Sequence, residues 1–172
     1  MSDLLNHKLD RVFAQLDADG NGFVDETDVT ALVGRVVTSF ALAPDSAETV
    51  TRTCRSLWSA LLENSDAEGD GIVSSTEFRA GLIKVTSPNV YAGSFRAAVD
   101  SLLALGQQPD RLTAEEWTKI RAALGTSEAR AGILFDLLDE DRRGSLAVEQ
   151  LAAAIREYYT STDPGTIGNS LF

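Results

Sequence analysis

Asp17-Ala18-Asp19-Gly20-Asn21-Gly22-Phe23-Val24-Asp25-Glu26-Thr27-Asp28 is a twelve-residue stretch that is polar along almost its whole length. Oxygen-bearing side chains stand at its first, third, fifth and twelfth positions, a glycine at the sixth and an aliphatic residue at the eighth. The stretch Asp66-Ala67-Glu68-Gly69-Asp70-Gly71-Ile72-Val73-Ser74-Ser75-Thr76-Glu77 repeats that spacing. Apolar residues recur at helical intervals on both sides of each. Leu5, Leu9, Val12, Phe13 and Leu16 precede the first, and Val29, Leu32, Val33, Val36, Val37 and Phe40 follow it. Val50, Cys54, Leu57, Trp58 and Leu61 precede the second, and Phe78, Leu82, Ile83 and Val85 follow it. Each polar stretch is therefore a loop between two amphipathic helices.

Such a loop has one chemistry that suits it. Ca²⁺ takes 6–8 oxygen ligands at about 2.3–2.6 Å, and alternate residues of a tightly turning loop point inward onto one spot. Gly22 and Gly71 permit the sharp turn that a Cβ would obstruct. The expected ligands of the first loop are Asp17, Asp19, Asn21, the Phe23 carbonyl and Asp28. Those of the second are Asp66, Glu68, Asp70, the Ile72 carbonyl and Glu77, with Glu77 closing its shell through both oxygens. Asp25 is placed to act directly or through water. Two strong Ca²⁺ sites follow, and this is the twelve-residue loop of an EF-hand. Asp28 is one methylene shorter than Glu77, so the first loop should also accept Mg²⁺, which demands a smaller six-oxygen shell. Val24 and Val73 are expected to pair the loops as a short antiparallel ladder, and Ser74-x-x-Glu77 fits a capping box.

Outward from these loops the helical spacing continues. Phe95, Val99, Leu102 and Leu103 form a fifth apolar series, Trp117, Ile120 and Leu124 a sixth. Ala131, Leu134, Phe135 and Leu138 form a seventh, and Leu151, Ala154, Ile155 and Tyr158 an eighth. The breaker Ser87-Pro88-Asn89 divides the chain into 1–87 and 88–172. The expected fold is all-α: four helix–loop–helix units arranged as two pairs in a compact bundle. The second pair has degenerate loops. With Leu112 at position 8 and Glu116 at position 12, Leu105, Gln107 and Pro109 fall where ligands belong. That loop is expected to persist as a pairing partner for the fourth, Asp139 to Gln150, which has Arg143 at position 5 and a neutral Gln150 at position 12. Ligand charge governs affinity, so the fourth loop is expected to bind weakly or not at all.

Composition excludes much else. Among 172 residues there is one cysteine, one histidine and one methionine, Met1. Internal disulfides, cysteine-based zinc or iron–sulfur sites and paired-histidine sites are ruled out. Twenty-six acidic residues against fifteen basic ones give a net charge of −11, which disfavours nucleic acid and anionic lipid as partners. The start carries no charged segment followed by an apolar core, and no apolar run approaches a membrane span, so a cytoplasmic monomer is expected. His7 is expected at the surface; Cys54, Trp58 and Trp117 are expected in the core. The clustered carboxylates have no accompanying catalytic group, so no enzyme is expected.

Over essentially its whole length the chain resembles the sarcoplasmic calcium-binding protein and calerythrin family. The resemblance rests on Asp17 to Gly22, the Leu57-Trp58 pair, Asp66 to Phe78, and loops starting unevenly at residues 17, 66, 105 and 139. It implies a compact cytosolic Ca²⁺ and Mg²⁺ binder that acts as a buffer. The family more often keeps good third and fourth sites, whereas here the first two are best. The alternative is a sensor that exposes an apolar groove to a target protein, a task for which flexible Met side chains are suited and which this chain would have to do with Met1 alone. The apolar end of the chain, Ile167, Leu171 and Phe172, is expected to dock on the body.

Overall fold

The computed structural model describes residues 3–85, 108 and 110–171. Seven helices appear among them: α1 (Asp3–Leu16), α2 (Glu26–Phe40), α3 (Pro44–Ser65), α4 (Ser75–Val85), α5 (Ala114–Ala123), α6 (Glu128–Leu138) and α7 (Val148–Thr160). A 3₁₀ turn, Ile167–Ser170, ends the chain. The all-α expectation holds, and seven of the eight apolar series lie on these helices. The series at Phe95 to Leu103 and the Ser87-Pro88-Asn89 break lie outside the described residues, as do Leu105, Gln107, Pro109 and Phe172.

Four short strands join the loops in pairs. β1 (Phe23–Val24) runs antiparallel to β2 (Val73–Ser74), with Val24 opposite Val73. β3 (Arg111–Thr113) runs antiparallel to β4 (Ser145–Ala147), with Leu112 opposite Leu146. These are the position-8 ladders expected from the sequence. All four aliphatic residues are buried, at 0–1% exposure, so each ladder is also the floor of the core.

One continuous core draws on both halves of the chain. Leu9, Phe13 and Phe78 belong to it together with Trp117, Leu134, Leu151 and Tyr158. Phe13 and Phe78 meet edge to face at 5.6 Å between centroids, the favoured geometry for opposed ring quadrupoles. Helix α1 packs on α4 and α7, and α2 packs on α3 and α5. Arg35 Nε donates to the Ala123 carbonyl at 2.7 Å, fastening α2 to the end of α5. Trp58 and Trp117 are buried as expected, and Trp117 Nε1 donates to the Ala131 carbonyl at 2.9 Å.

Pro44 begins α3, a helix of 22 residues. Proline suits the first helical position because its missing N–H would have no partner there. His7 lies within α1, which starts at Asp3, and faces solvent as expected. The C-terminal tail is docked: Leu171 is 2% exposed and sits in the main core.

Candidate metal centre

The first loop is held by its own amides. Asp17 accepts from the amides of Asn21 and Gly22, each at 3.0 Å. Asn21 Oδ1 accepts from the Phe23 amide at 2.8 Å. Asp28, buried at the start of α2, accepts from the Ala18 amide at 2.8 Å and from the Asp25 amide at 3.0 Å. Thus the twelfth residue reaches back to the second and ninth and closes the ring. Gly22 has φ 90°, in the left-handed region where a Cβ is strained. The outcome is a convergence: ligand oxygens of Asp17, Asp19 and Asp28 all lie within 4.8 Å of one another. Three carboxylates at such separations repel one another, and a hard divalent cation is the species that relieves this. The donor set is all oxygen and fits Ca²⁺ or Mg²⁺.

The second loop repeats the backbone plan. Asp66 accepts from the amides of Gly69 at 2.6 Å and Gly71 at 3.0 Å, and Asp70 from the Ile72 amide at 3.1 Å. Glu77 accepts from the amides of Ala67 at 3.2 Å and Ser74 at 3.0 Å, and from the Ser74 hydroxyl at 2.8 Å. The Glu77 amide donates to Ser74 Oγ at 3.3 Å, so the expected capping box is present. These bonds stabilise the charged forms. The Gly71 amide leads in holding the Asp66 carboxyl below its ordinary value, and the Ser74 amide leads for Glu77. Among the described residues, Asp17, Asp19 and Asp28 are the one cluster of metal-ligating side chains that converges; Asp66, Glu68, Asp70 and Glu77 line their loop without drawing together to that degree.

The fourth loop keeps the same frame and fills it differently. Asp139 accepts from the amides of Arg143 at 3.0 Å and Gly144 at 2.8 Å. Arg143 Nε, from position 5, pairs with Asp141 Oδ2 at 2.7 Å and occupies the carboxylate a cation would need. The Gln150 amide donates to the Leu138 carbonyl. In the third loop, Thr113 and Glu116 form a capping box, with Thr113 N to Glu116 Oε2 at 2.8 Å. Arg111 spans the two loops, its Nε 2.8 Å from Ser145 Oγ and Nη2 3.0 Å from the Ser145 carbonyl. Asp25 is the N-cap of α2, a role beyond those expected of it, and the Thr113–Glu116 box carries the spacing in sequence that marks such a cap. The Arg111–Ser145 link had no local signal, because its ends lie 34 residues apart.

No family model matches the chain. Calerythrin from Saccharopolyspora erythraea is 23% identical over 167 residues, covering 91% of this chain and 92% of the relative. A calcium-binding protein of Streptomyces coelicolor, described in terms of calcium-mediated regulation, superposes with a TM-score of 0.78 at 22% identity, covering 91% of this chain and 98% of that one. A sarcoplasmic calcium-binding protein from amphioxus superposes with a TM-score of 0.74 at 15% identity, covering 99% and 96%. The fold is that of EF-hand calcium-binding proteins, and the resemblance drawn from the sequence stands.

Proposed function

We propose that this chain binds Ca²⁺ through its first two loops and serves as a calcium buffer rather than an enzyme. The observation that carries this reading is the convergence of Asp17, Asp19 and Asp28 on a loop closed by its own amides. Asn21 and the Phe23 carbonyl would complete the first shell, and Asp66, Glu68, Asp70, the Ile72 carbonyl and Glu77 would form the second. The division at residues 87 and 88 then separates an ion-holding pair from a pair braced by Arg143 and Arg111. Both structural neighbours carry calcium binding in their names, in keeping with this assignment.

Buffering rather than signalling is favoured by closure. Leu171 fills an interior position, and the buried apolar residues are Leu, Val, Ile, Phe, Trp, Tyr and Ala, with no methionine-lined groove among the described residues. The sensor reading draws on the regulatory role attached to the Streptomyces coelicolor protein. Calorimetric titration of metal-stripped protein with Ca²⁺, with and without millimolar Mg²⁺, tests the proposal. Two sites, with Mg²⁺ competing at the first, are expected. An apolar dye whose fluorescence rises sharply on Ca²⁺ addition would favour the sensor.

A further inference from the structure

A cavity of about 300 Å³ lies between the two halves of the molecule. Protein interiors are packed at a density of about 0.74 and leave few voids larger than a water molecule. A void of about 150 Å³ with apolar walls stays dry and takes up benzene, and small-molecule sites begin near ~300 Å³. Among the described residues the walls include Leu57 and Trp58 of α3, Phe78 of α4, and Trp117 and Ile120 of α5. Trp58, Phe78 and Trp117 are each less than a tenth exposed, so the aromatic wall is shielded from bulk solvent.

Two polar groups interrupt the apolar wall. The Gln15 amide oxygen is shielded from water and accepts no hydrogen bond within the described structure. Buried acceptors are ordinarily satisfied, so a ligand donor is the natural complement. Arg121, 2% exposed, lies 5.7 Å from the Trp117 ring and donates to Thr126 Oγ1 at 2.9 Å. Those two contacts engage the guanidinium with the ring face and the hydroxyl, and Gln15 Oε1 is the acceptor taken here to orient the ligand.

We infer that this cavity binds a small aromatic molecule larger than benzene and bearing one hydroxyl, whose proton is donated to Gln15 Oε1. The rings would lie against Trp58 and Trp117, where aromatic geometry adds to area burial. Val24 of the first loop and Leu112 of the third stand on its wall, so the loops are kept loaded in the test.

The test uses full-length protein in saturating Ca²⁺, with 2-naphthol as probe and naphthalene as the analogue without a donor. Calorimetry and tryptophan quenching should agree on one 2-naphthol per chain, bound about tenfold more tightly than naphthalene. Gln15→Leu should erase that preference while leaving naphthalene binding unchanged. Ala60→Phe, which fills the cavity from α3, should abolish both, with helical circular dichroism retained. Should that variant fail to fold, Cys54→Leu fills the same space with a smaller change and should weaken both ligands. No saturable binding of either probe would overturn the inference. So would binding that survives both filling substitutions, or a 2-naphthol preference untouched by Gln15→Leu.

Discussion

Asp28 and Glu77 each join the start of a loop to its end, and that duty is separable from holding an ion. The same carboxylate accepts from the position-2 amide, Ala18 or Ala67, and from the position-9 amide, Asp25 or Ser74. Asp17→Ala should delete one calorimetric Ca²⁺ site and Glu77→Ala the other; three sites of equal strength in the parent protein would show that Arg143 and Gln150 permit binding. Asp28→Glu should raise the Ca²⁺ preference of the first loop, because the longer side chain can offer both oxygens to a larger ion. Unchanged Ca²⁺/Mg²⁺ competition in that variant would refute the argument. Acid behaviour follows from the lowered carboxyls of Asp66 and Glu77. A depressed carboxylate adds stability above its unfolded value and loses it as pH falls through the folded one, so Asp66 and Glu77 should stay charged below the ordinary carboxylate range. A pH titration of the two carboxyls in metal-free protein reads this directly. The convergence of Asp17, Asp19 and Asp28 was legible because these residues stand at fixed offsets within one segment. The Arg143–Asp141 pair was half legible: the misplaced cation was visible, and its swing onto a neighbouring ligand carboxylate was not.

At the level of elements, the two loop pairs share a ladder and differ in what closes it. Val24 and Val73 pair between loops dense in carboxylates, whereas Leu112 and Leu146 pair between loops tied by Arg111 and Ser145. The first ladder should therefore need metal and the second should not. On chelation, hydrogen exchange at Val24 and Val73 is expected to quicken while Leu112 and Leu146 stay protected. Equal loss in both would mean that the ions support the whole bundle uniformly. Val73→Ala should cost about 2 kcal/mol by denaturant unfolding, in the range for truncating a buried aliphatic side chain. The helices were readable because their apolar faces recur at 3.6-residue spacing, and the ladders because position 8 is fixed by the loop. The joint between α2 and α3 was not. It turns at Ala41, whose φ is 48°, so the left-handed residue that usually announces a helix end as glycine is here an alanine. Pro44, three residues on, then reads equally as a stop or a start, and only packing against α4 decides between them.

For the molecule as a whole, charge and closure act against each other. A net charge of −11, concentrated in the two N-terminal loops, favours expansion unless cations offset it. Binding to the folded state adds about 2.7 kcal/mol per site at a hundredfold excess of metal over Kd, so chelation should lower the melting temperature by roughly 5–10 °C or more. An unchanged melt would separate metal binding from folding. Closure comes from joining the chain's two ends. Tyr158 OH donates to the Lys8 carbonyl at 2.6 Å, and Lys8 Nζ donates to the Ser161 carbonyl at 2.7 Å. From there the tail folds back along α7, where Gly168 approaches so closely that a Cβ would stand 2.6 Å from the Ala154 carbonyl oxygen and 2.8 Å from the Tyr158 nitrogen. Leu171 is thereby carried into the core and onto the wall of the central cavity. The apolar end was legible as a candidate for docking, since exposed Leu and Ile at a terminus lose burial worth roughly 1.5–3 kcal/mol each. Its glycine hinge was not, because the requirement is set by a helix that only the fold brings near. Truncation after Asp163 should therefore lower stability by about 2–4 kcal/mol and raise apolar-dye fluorescence in saturating Ca²⁺. Gly168→Ala should reproduce both effects in part with Leu171 still present, since the added methyl meets the Glu157 Cβ and two backbone atoms of α7, none of them the movable end of a side chain. A truncated protein with the parent's melt and no new dye binding would show that the tail seals nothing, and the buffer reading would lose the closure that distinguishes it from a sensor.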